Sequence, residues 1–168
     1  MRVIIRKSTN IDYTNIYNLH KKCFSVPDQW YLSVIRDCSD NGYVIETEKT
    51  KIIGVLLYGN IVPCCVNDVF IGMNDFGKEY CSNKNHLKEM NGITMLCIDP
   101  KYRNKGLAKK IIEQYHLDNK NKELCLNTRK SNNAYNLYIK MGYNHIGTIK
   151  DKYFLPTEDS LFMYKLNN

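Results

Sequence analysis

The chain has 168 residues, which suffices for one globular domain with its own core and is too short for two ordinary domains. Hydrophobic residues make up 43% and charged residues 24%, a balance that excludes a disordered chain. No apolar run approaches the roughly 18 residues of a membrane-spanning helix, and the N-terminus is too soon polar for a signal peptide, so we expect a cytoplasmic protein. The formal charge of +7 favours anionic partners: nucleic acid, acidic proteins or phosphate-bearing cofactors.

The first part of the chain predicts a strand followed by two helices. Residues 2–6 are predicted to form the strand. Thr9 precedes Asp12 by the spacing of a capping box, which indicates the start of a helix with one apolar face. A second, shorter helix is predicted over residues 29–37.

The next part predicts a hairpin and then loses its pattern. Residues 43–47 and 52–58 are rich in β-branched side chains and flank a polar turn, which favours two antiparallel strands. Residues 63–91 show no sustained period, so we predict a long loop or insertion there.

Cysteine is unusually frequent, with seven residues in the chain. An odd count in a chain without an export signal favours reduced thiols. Cys64 and Cys65, with Cys81 and His86 downstream, match no common zinc-ligand spacing. We therefore predict that the protein binds no metal.

The second half predicts alternating strands and helices. The apolar stretch before Pro100 is typical of a buried strand, Ser131 is suited to cap a helix, and Gly142 is suited to end it in the left-handed conformation. The predicted elements are strands over residues 93–98, 124–126, 143–149 and 161–166, and helices from Gly106 and from Ser131 to Gly142. The complete order, βααββ, insertion, βαβαββ, predicts one mixed α/β sheet with helices on both faces, formed by residues 1–168 as a single domain.

The segment between the strand that ends at Ile98 and the next helix carries the most chemical information. A short basic loop follows Pro100, and two small residues, Gly106 and Ala108, open the helix. Unpaired N–H groups of residues 104–108, together with the helix dipole, predict an anion site. The glycine patterns of P-loops and dinucleotide-binding loops are absent. An ordinary strand-to-helix turn with solvated lysines is the alternative.

Several lysines surround this segment. No aromatic stacking platform is interleaved with them, so the pattern favours a cofactor with several phosphate charges over nucleic acid. The residues are Lys101, Lys105, Lys109 and Lys110.

The same segment resembles motif A of the GNAT acetyltransferases, through the pattern Ile98-x-Pro100-x-x-Arg103-x-x-Gly106-x-Ala108. Residues 131–143 are similar to motif B of that family, in the same order and at a suitable spacing. The matching residues are Ser131, Ala134, Leu137, Tyr138, Lys140, Gly142 and Tyr143. The resemblance implies the GNAT fold, a central, mostly antiparallel sheet of about seven strands.

The resemblance also implies a site for acetyl-coenzyme A. The backbone at the end of the strand would pair with the pantetheine arm, the basic loop would wrap the pyrophosphate, and the start of motif B would contact the cofactor. Ser131 stands where the family usually has Asn, so Asn132 is an alternative contact. The implied cofactor-binding residues are Leu96, Cys97, Ile98, Arg103, Asn104, Lys105, Gly106, Leu107, Ala108, Lys109, Ser131, Asn132 and Tyr138.

The implied chemistry is attack of a neutral primary amine on a thioester. The resemblance assigns Tyr138 the protonation of the departing thiolate, while its helical spacing also permits a purely packing role. A backbone N–H near Ile98 is a candidate oxyanion donor. The sequence indicates no single general base that would remove the proton from the amine. A water chain could remove it, and so could one of several carboxylates or a histidine. These are Glu46, Asp68, His86, Glu89 and Glu123.

The sequence thus predicts an N-acetyltransferase that uses acetyl-CoA and an amine acceptor: a protein N-terminus, a lysine or a small amine. A non-catalytic CoA-binding or sensor module with the same fold is the alternative. A covalent acetyl-cysteine route through Cys97 is disfavoured, because a strand cysteine between apolar neighbours is typical of a core. Aromatic and acidic residues suited to hold a cationic amine are Trp30, Tyr153, Glu158 and Asp159.

Overall fold

The computed structural model describes residues 2–25, 28–66, 69–74, 90–154 and 156–168. The helices of this part of the chain are α1 (Tyr13–Cys23), α2 (Leu32–Cys38), α3 (Leu107–Asp118) and α4 (Ala134–Lys140). The strands are β1 (Val3–Lys7), β2 (Gly42–Thr47), β3 (Ile52–Val66), β4 (Val69–Asn74), β5 (Met90–Ile98), β6 (Lys122–Arg129), β7 (Asn144–Phe154) and β8 (Thr157–Asn167).

The strands pair in the order β1-β2-β3-β5-β6-β8-β7, and β4 pairs with β3. The pair β5–β6 is parallel, with Asn91 opposite Leu124, whereas β1–β2, β2–β3, β3–β4, β6–β8 and β7–β8 are antiparallel. This confirms the predicted mixed, mostly antiparallel α/β sheet.

The chain divides into two compact units, each with its own apolar cluster. The first comprises Met1–Tyr58 and Thr94–Asp118. Its cluster joins α1 and α2 to the strands and consists of Ile16, Leu19, Ile35, Val44, Ile52, Val55, Leu57, Met95 and Cys97. The second comprises Gly59–Ile93 and Asn119–Asn168, and its cluster consists of Ile61, Met90, Cys125 and Phe162.

The predicted loop over residues 63–91 is wrong where the structure describes it. β3 continues to Val66, β4 pairs with it, and β5 begins at Met90. Pro63 lies opposite Gly72 in this hairpin. Proline cannot donate to a strand ladder and the adjacent cysteines break the period-2 pattern, so the local sequence did not indicate strands. Residues 67–68 and 75–89 of the predicted insertion lie outside the described residues.

Two local signals are confirmed. The capping box of Thr9 and Asp12 is present, although it caps a 3-10 turn over Asn10–Asp12 that leads into α1. Gly142 has φ +87° and follows α4. Its N–H donates to Ile139 O at 3.0 Å, and the N–H of Tyr143 donates to Tyr138 O at 3.0 Å. This pair of hydrogen bonds defines a Schellman motif.

Candidate functional site

In the first unit, β5 ends in a sharply turned loop. The Asp99 N–H donates to Ile53 O at 2.9 Å, which ties the end of β5 to β3. The buried Asp99 carboxylate accepts a hydrogen bond from the Lys101 N–H at 3.1 Å, which supports a 3-10 turn over Pro100–Tyr102. The Asp99 N–H is therefore already bonded within the fold and is not free to act as an oxyanion donor.

The loop after this turn presents backbone N–H groups to solvent. Asn104 and Gly106 have φ +60° and +72°, the left-handed region, and residues 103–106 are exposed. Within the described residues, the N–H groups of residues 104–109 have no hydrogen-bond acceptor. A Cβ added at Gly106 would meet nothing within 4 Å, so the space beside the backbone is open. Such a loop at the start of a helix of 12 residues is suited to bind an anion.

Cationic side chains line the same loop. The Arg103 Nε donates to Ile98 O at 3.2 Å, which holds the guanidinium at the end of β5. The Nζ atoms of Lys51 and Lys105 each lie 5.5 Å from the centre of the Tyr102 ring. Lys109 is exposed, with its Nζ 3.6 Å from Glu113. These positive charges add to the potential of the helix N-terminus.

Several predicted residues of this segment, Ile98 and Cys97 among them, have buried or partly buried side chains. Leu107 is buried, so only its backbone N–H can serve the loop, and Ala108 is partly buried. Leu96 is partly buried as well.

Cys97 is 1% exposed, and burial raises the pKa of its thiol well above the ordinary value. Attack on a thioester needs a free thiolate, which this environment disfavours, so it argues against an acetyl-cysteine route through Cys97.

Sequence reasoning missed Cys23, which lies at the end of α1. Its Sγ donates to Ile98 O at 3.4 Å. The hydrogen bond from the Cys97 thiol, helped by Arg103, lowers the pKa of Cys23 to about 7 despite partial burial. In the sequence, Cys23 occupies one more position on the apolar face of α1, and no local pattern indicates a reactive thiol there.

In the second unit, Tyr138 lies on α4 and is 6% exposed. Its ring packs edge-on against the ring of Tyr143, with 5.9 Å between centroids. The Schellman motif at Gly142 joins the two residues through the backbone as well. Tyr138 is therefore held rigidly, as both a packing residue and a proton donor require.

The predicted helix cap at Ser131 is wrong. α4 begins at Ala134 with Asn133 as its N-cap residue. The Ser131 hydroxyl instead donates to Glu158 Oε2 at 2.9 Å, and its N–H donates to Glu158 Oε1. The Asn132 amide oxygen accepts from the Ala134 N–H at 2.9 Å. Ser131 therefore bonds to Glu158, a residue of β8 that is distant in sequence, and not to the first turn of α4.

The acidic residues considered for holding a cationic amine already have cationic partners. Glu158 lies 3.3 Å from the Arg129 guanidinium, and Asp159 lies 3.1 Å from Lys150 Nζ. The hydrogen bonds from Ser131 and Arg129 lower the pKa of Glu158. The Arg129 guanidinium also stacks over the Tyr153 ring at 4.0 Å. This cluster is internally compensated, which leaves little charge for an acceptor.

The structure identifies no general base among the candidates that it describes. Glu46 accepts a hydrogen bond from Arg6 Nε at 2.6 Å, and Glu123 lies opposite Leu166 at the start of β6. Asp68, His86 and Glu89 lie outside the described residues.

The described residues include no group of three His, Cys, Asp or Glu side chains that could hold a metal ion. Cys81 and His86 of the zinc pattern considered above lie outside the described residues, as do the side chains of Cys64 and Cys65.

A family model described as an acetyltransferase (GNAT) domain matches residues 76–155, a range that contains both the loop after β5 and α4. The whole chain also superposes on solved GNAT N-acetyltransferases. Residues 76–155 thus match the GNAT acetyltransferase domain, and the whole chain shares the fold of solved N-acetyltransferases.

The similarity of fold extends over nearly the full length. This chain has a TM-score of 0.71 and 15% identity to the ribosomal-protein-S18-alanine N-acetyltransferase of Escherichia coli, covering 99% of this chain and 95% of that one. For Arabidopsis thaliana NAA60 in complex with acetyl-CoA the TM-score is 0.73 and the identity 15%, covering 98% and 99%. For a spermidine N-acetyltransferase chimera from Vibrio cholerae and hSSAT the TM-score is 0.66 and the identity 18%, covering 99% of this chain and 96% of that one.

At these identities the solved structures establish the GNAT fold of the chain and leave its substrate open. No curated protein sequence matches it significantly. Among the helices of the described residues, none is long and apolar enough to cross a membrane.

Proposed function

We propose that this protein is an N-acetyltransferase that moves an acetyl group from acetyl-CoA to a primary amine by direct attack. The observation that carries the proposal is the loop after β5. Six consecutive N–H groups, of residues 104–109, have no acceptor within the described residues, and cationic side chains surround them. Unsatisfied donors at a helix N-terminus are suited to a pyrophosphate.

The donor set fits acetyl-CoA. Arg103, Lys105 and Lys109 would balance the phosphate charges, and Gly106 leaves open space beside its backbone. The backbone of residues 96–98 would pair with the pantetheine arm, as the family resemblance implies. Each charge-assisted hydrogen bond contributes roughly 1.5–3 kcal/mol, so the loop alone could supply much of the affinity.

Ser131 and Asn132 fit less directly. Both polar groups of Ser131 are bonded to Glu158, and the Asn132 oxygen is used at the start of α4. Ser131 contributes to the cofactor site only if it exchanges its bond to Glu158. We therefore assign the larger share of binding to the loop after β5.

Acetyl-CoA, when bound, supplies a thioester whose carbonyl carbon an uncharged amine can attack. Tyr138 is assigned the general acid: its hydroxyl would give up a proton to the departing sulfur. Its rigid packing favours that role, because a fixed donor needs no reorganisation during the reaction. Removal of the proton from the amine is left to solvent or to a residue outside those that the structure describes.

The test compares Tyr138→Phe with Tyr135→Phe, a matched change on the same helix. Tyr135 is partly exposed and contacts His145, with 6.5 Å between ring centroids. We expect Tyr138→Phe to lower acetyl transfer roughly ten-fold or more, and Tyr135→Phe to leave it nearly unchanged. Calorimetric titration with acetyl-CoA should give the same affinity for all three proteins.

The acceptor panel for this assay contains a peptide with a free N-terminus, an N-terminally blocked lysine peptide and a polyamine. Equal loss of activity in both tyrosine variants would contradict the role of Tyr138. Acetyl-CoA binding without transfer to any acceptor would favour the alternative, a CoA-binding or sensor module. Absence of binding would remove both.

A further inference from the structure

Two free thiols meet in the first unit, where α1 ends beside β5. Cys23 packs against the apolar cluster that contains Cys97, and the two side chains are within hydrogen-bonding distance of each other. The Sγ of Cys23 also reaches the carbonyl oxygen of Ile98, the neighbour of Cys97, at 3.4 Å. The two residues are distant in sequence, so only the tertiary fold brings them together.

The two thiols differ in access and in charge environment. Cys23 is partly exposed and lies near the Arg103 guanidinium, which favours its thiolate. Cys97 is 1% exposed in an apolar surrounding, which favours its neutral thiol. A reactive, accessible cysteine beside a second, protected one is the arrangement of a peroxide-sensitive pair, in which one thiol reacts first and the other resolves the product.

We propose that Cys23 and Cys97 form an oxidative modification site, in which a peroxide converts the pair of thiols to an intramolecular disulfide. The Cys23 thiolate attacks one peroxide oxygen, the O–O bond breaks, and Cys23 becomes a sulfenic acid while the other oxygen leaves as water after protonation. The Cys97 thiol then attacks the Cys23 sulfur as its proton passes to the departing hydroxyl, which leaves as a second water. Overall two thiols lose two hydrogen atoms, and one hydrogen peroxide becomes two waters.

The modification would act on the cofactor segment. Cys97 lies between Leu96 and Ile98, whose backbone we assign to the pantetheine arm, and the disulfide would remove the thiol that donates to Ile98 O. This consequence rests on the proposed function, whereas the modification itself does not. We expect the oxidised protein to bind acetyl-CoA at least ten-fold more weakly, and a thiol reductant to restore the affinity.

The primary test is mass spectrometry of the intact protein and its peptides after hydrogen peroxide treatment, without acetyl-CoA. We expect a loss of two hydrogen atoms, a linked peptide pair containing Cys23 and Cys97, and reversal by dithiothreitol. Cys38→Ser is the matched control, because Cys38 is also partly exposed and its pKa is raised by burial and by Asp37 and Asp40. This variant should form the same disulfide.

Two variants separate the steps. Cys97→Ser keeps a hydrogen-bond donor beside Cys23, so it should form no disulfide and should accumulate a sulfenic acid at Cys23, which dimedone traps. Cys23→Ser should leave Cys97 unmodified. Linkage of other cysteines, or equal peroxide reactivity of Cys23 and Cys38, would overturn the proposal. If the disulfide forms but acetyl-CoA does not bind even to reduced protein, the modification stands and the proposed function fails.

Discussion

The loop after β5 and the segment before α4 are both predicted to contact the same cofactor, yet they differ in what they already bind. The N–H groups of residues 104–109 have no acceptor within the described residues. Both polar groups of Ser131, by contrast, are bonded to Glu158, which also pairs with Arg129. The first segment has backbone donors without acceptors, whereas the polar groups of Ser131 in the second are already bonded.

The difference shows how much a motif match leaves undecided. Unsatisfied donors lose only bonds to water when a ligand arrives, whereas a bonded serine must first break a charge-assisted bond. Two segments with similar family resemblance can therefore contribute very differently to binding. Substitutions in the loop after β5 should therefore change acetyl-CoA affinity more than substitutions at the bonded Ser131 and Glu158.

The largest effect is expected for Gly106→Asp. Its carboxylate would oppose the pyrophosphate, and we expect acetyl-CoA affinity to fall at least roughly 100-fold, equivalent to about 2.7 kcal/mol. Gly106→Asn is the control, because Asn tolerates φ +72° and carries no charge, and the space there is open. Calorimetry measures both. Equal losses in the two variants would show that shape rather than charge decides.

The next effect is on stability, at the glycine that ends α4. Gly142→Ala places a Cβ at φ +87° and within 2.8 Å of Lys165 Nζ, a flexible neighbour. We expect a loss of about 1–2 kcal/mol in the free energy of unfolding from the backbone strain. Gly142→Asn should recover part of it. Chemical denaturation measures the change, and an unchanged midpoint in Gly142→Ala would contradict the Schellman assignment.

A smaller effect is expected when the satisfied serine is released. Glu158→Gln removes the charge that holds Ser131 and Arg129, so the melting temperature should fall at neutral pH. The pKa of Glu158 is lowered in the folded state, so its stabilisation is present above the ordinary pKa and is lost as pH falls through the folded value. The difference between wild type and variant should therefore shrink below roughly pH 4.

Thermal melts at several pH values measure this difference. A constant difference across the acidic range would contradict a role for the ionised carboxylate. If Ser131 serves the cofactor only after release, Glu158→Gln should bind acetyl-CoA no more weakly than wild type.

The smallest effect is expected at a group without a partner. Ser160 is buried, and within the described residues its hydroxyl has no hydrogen-bond partner. Ser160→Ala should change the free energy of unfolding by less than about 0.5 kcal/mol, because no bond is lost. Ser39→Ala is the matched control: Ser39 is equally buried, but its hydroxyl donates to Arg36 O at 2.9 Å. That variant should lose about 1 kcal/mol.

Much of the fold could be predicted because its signals are local. The capping box at Thr9 and the glycine after α4 act within a few residues of themselves, and both were confirmed. The hairpin of β3 and β4 could not be predicted, because Pro63 breaks the strand pattern and the pairing partner supplies the missing information. The cap at Ser131 failed for a similar reason: Glu158 lies on a different element.

The sequence by itself determined the fold class and the position of the basic loop after β5, because a strand, a basic turn and a small-residue helix start are formed by consecutive residues. The tertiary structure alone decided which polar groups remain open and which thiols meet. Cys23 and Cys97 become neighbours only when α1 packs on β5, and their different reactivity follows from burial and from Arg103. Such environments depend on long-range packing, which no local pattern encodes.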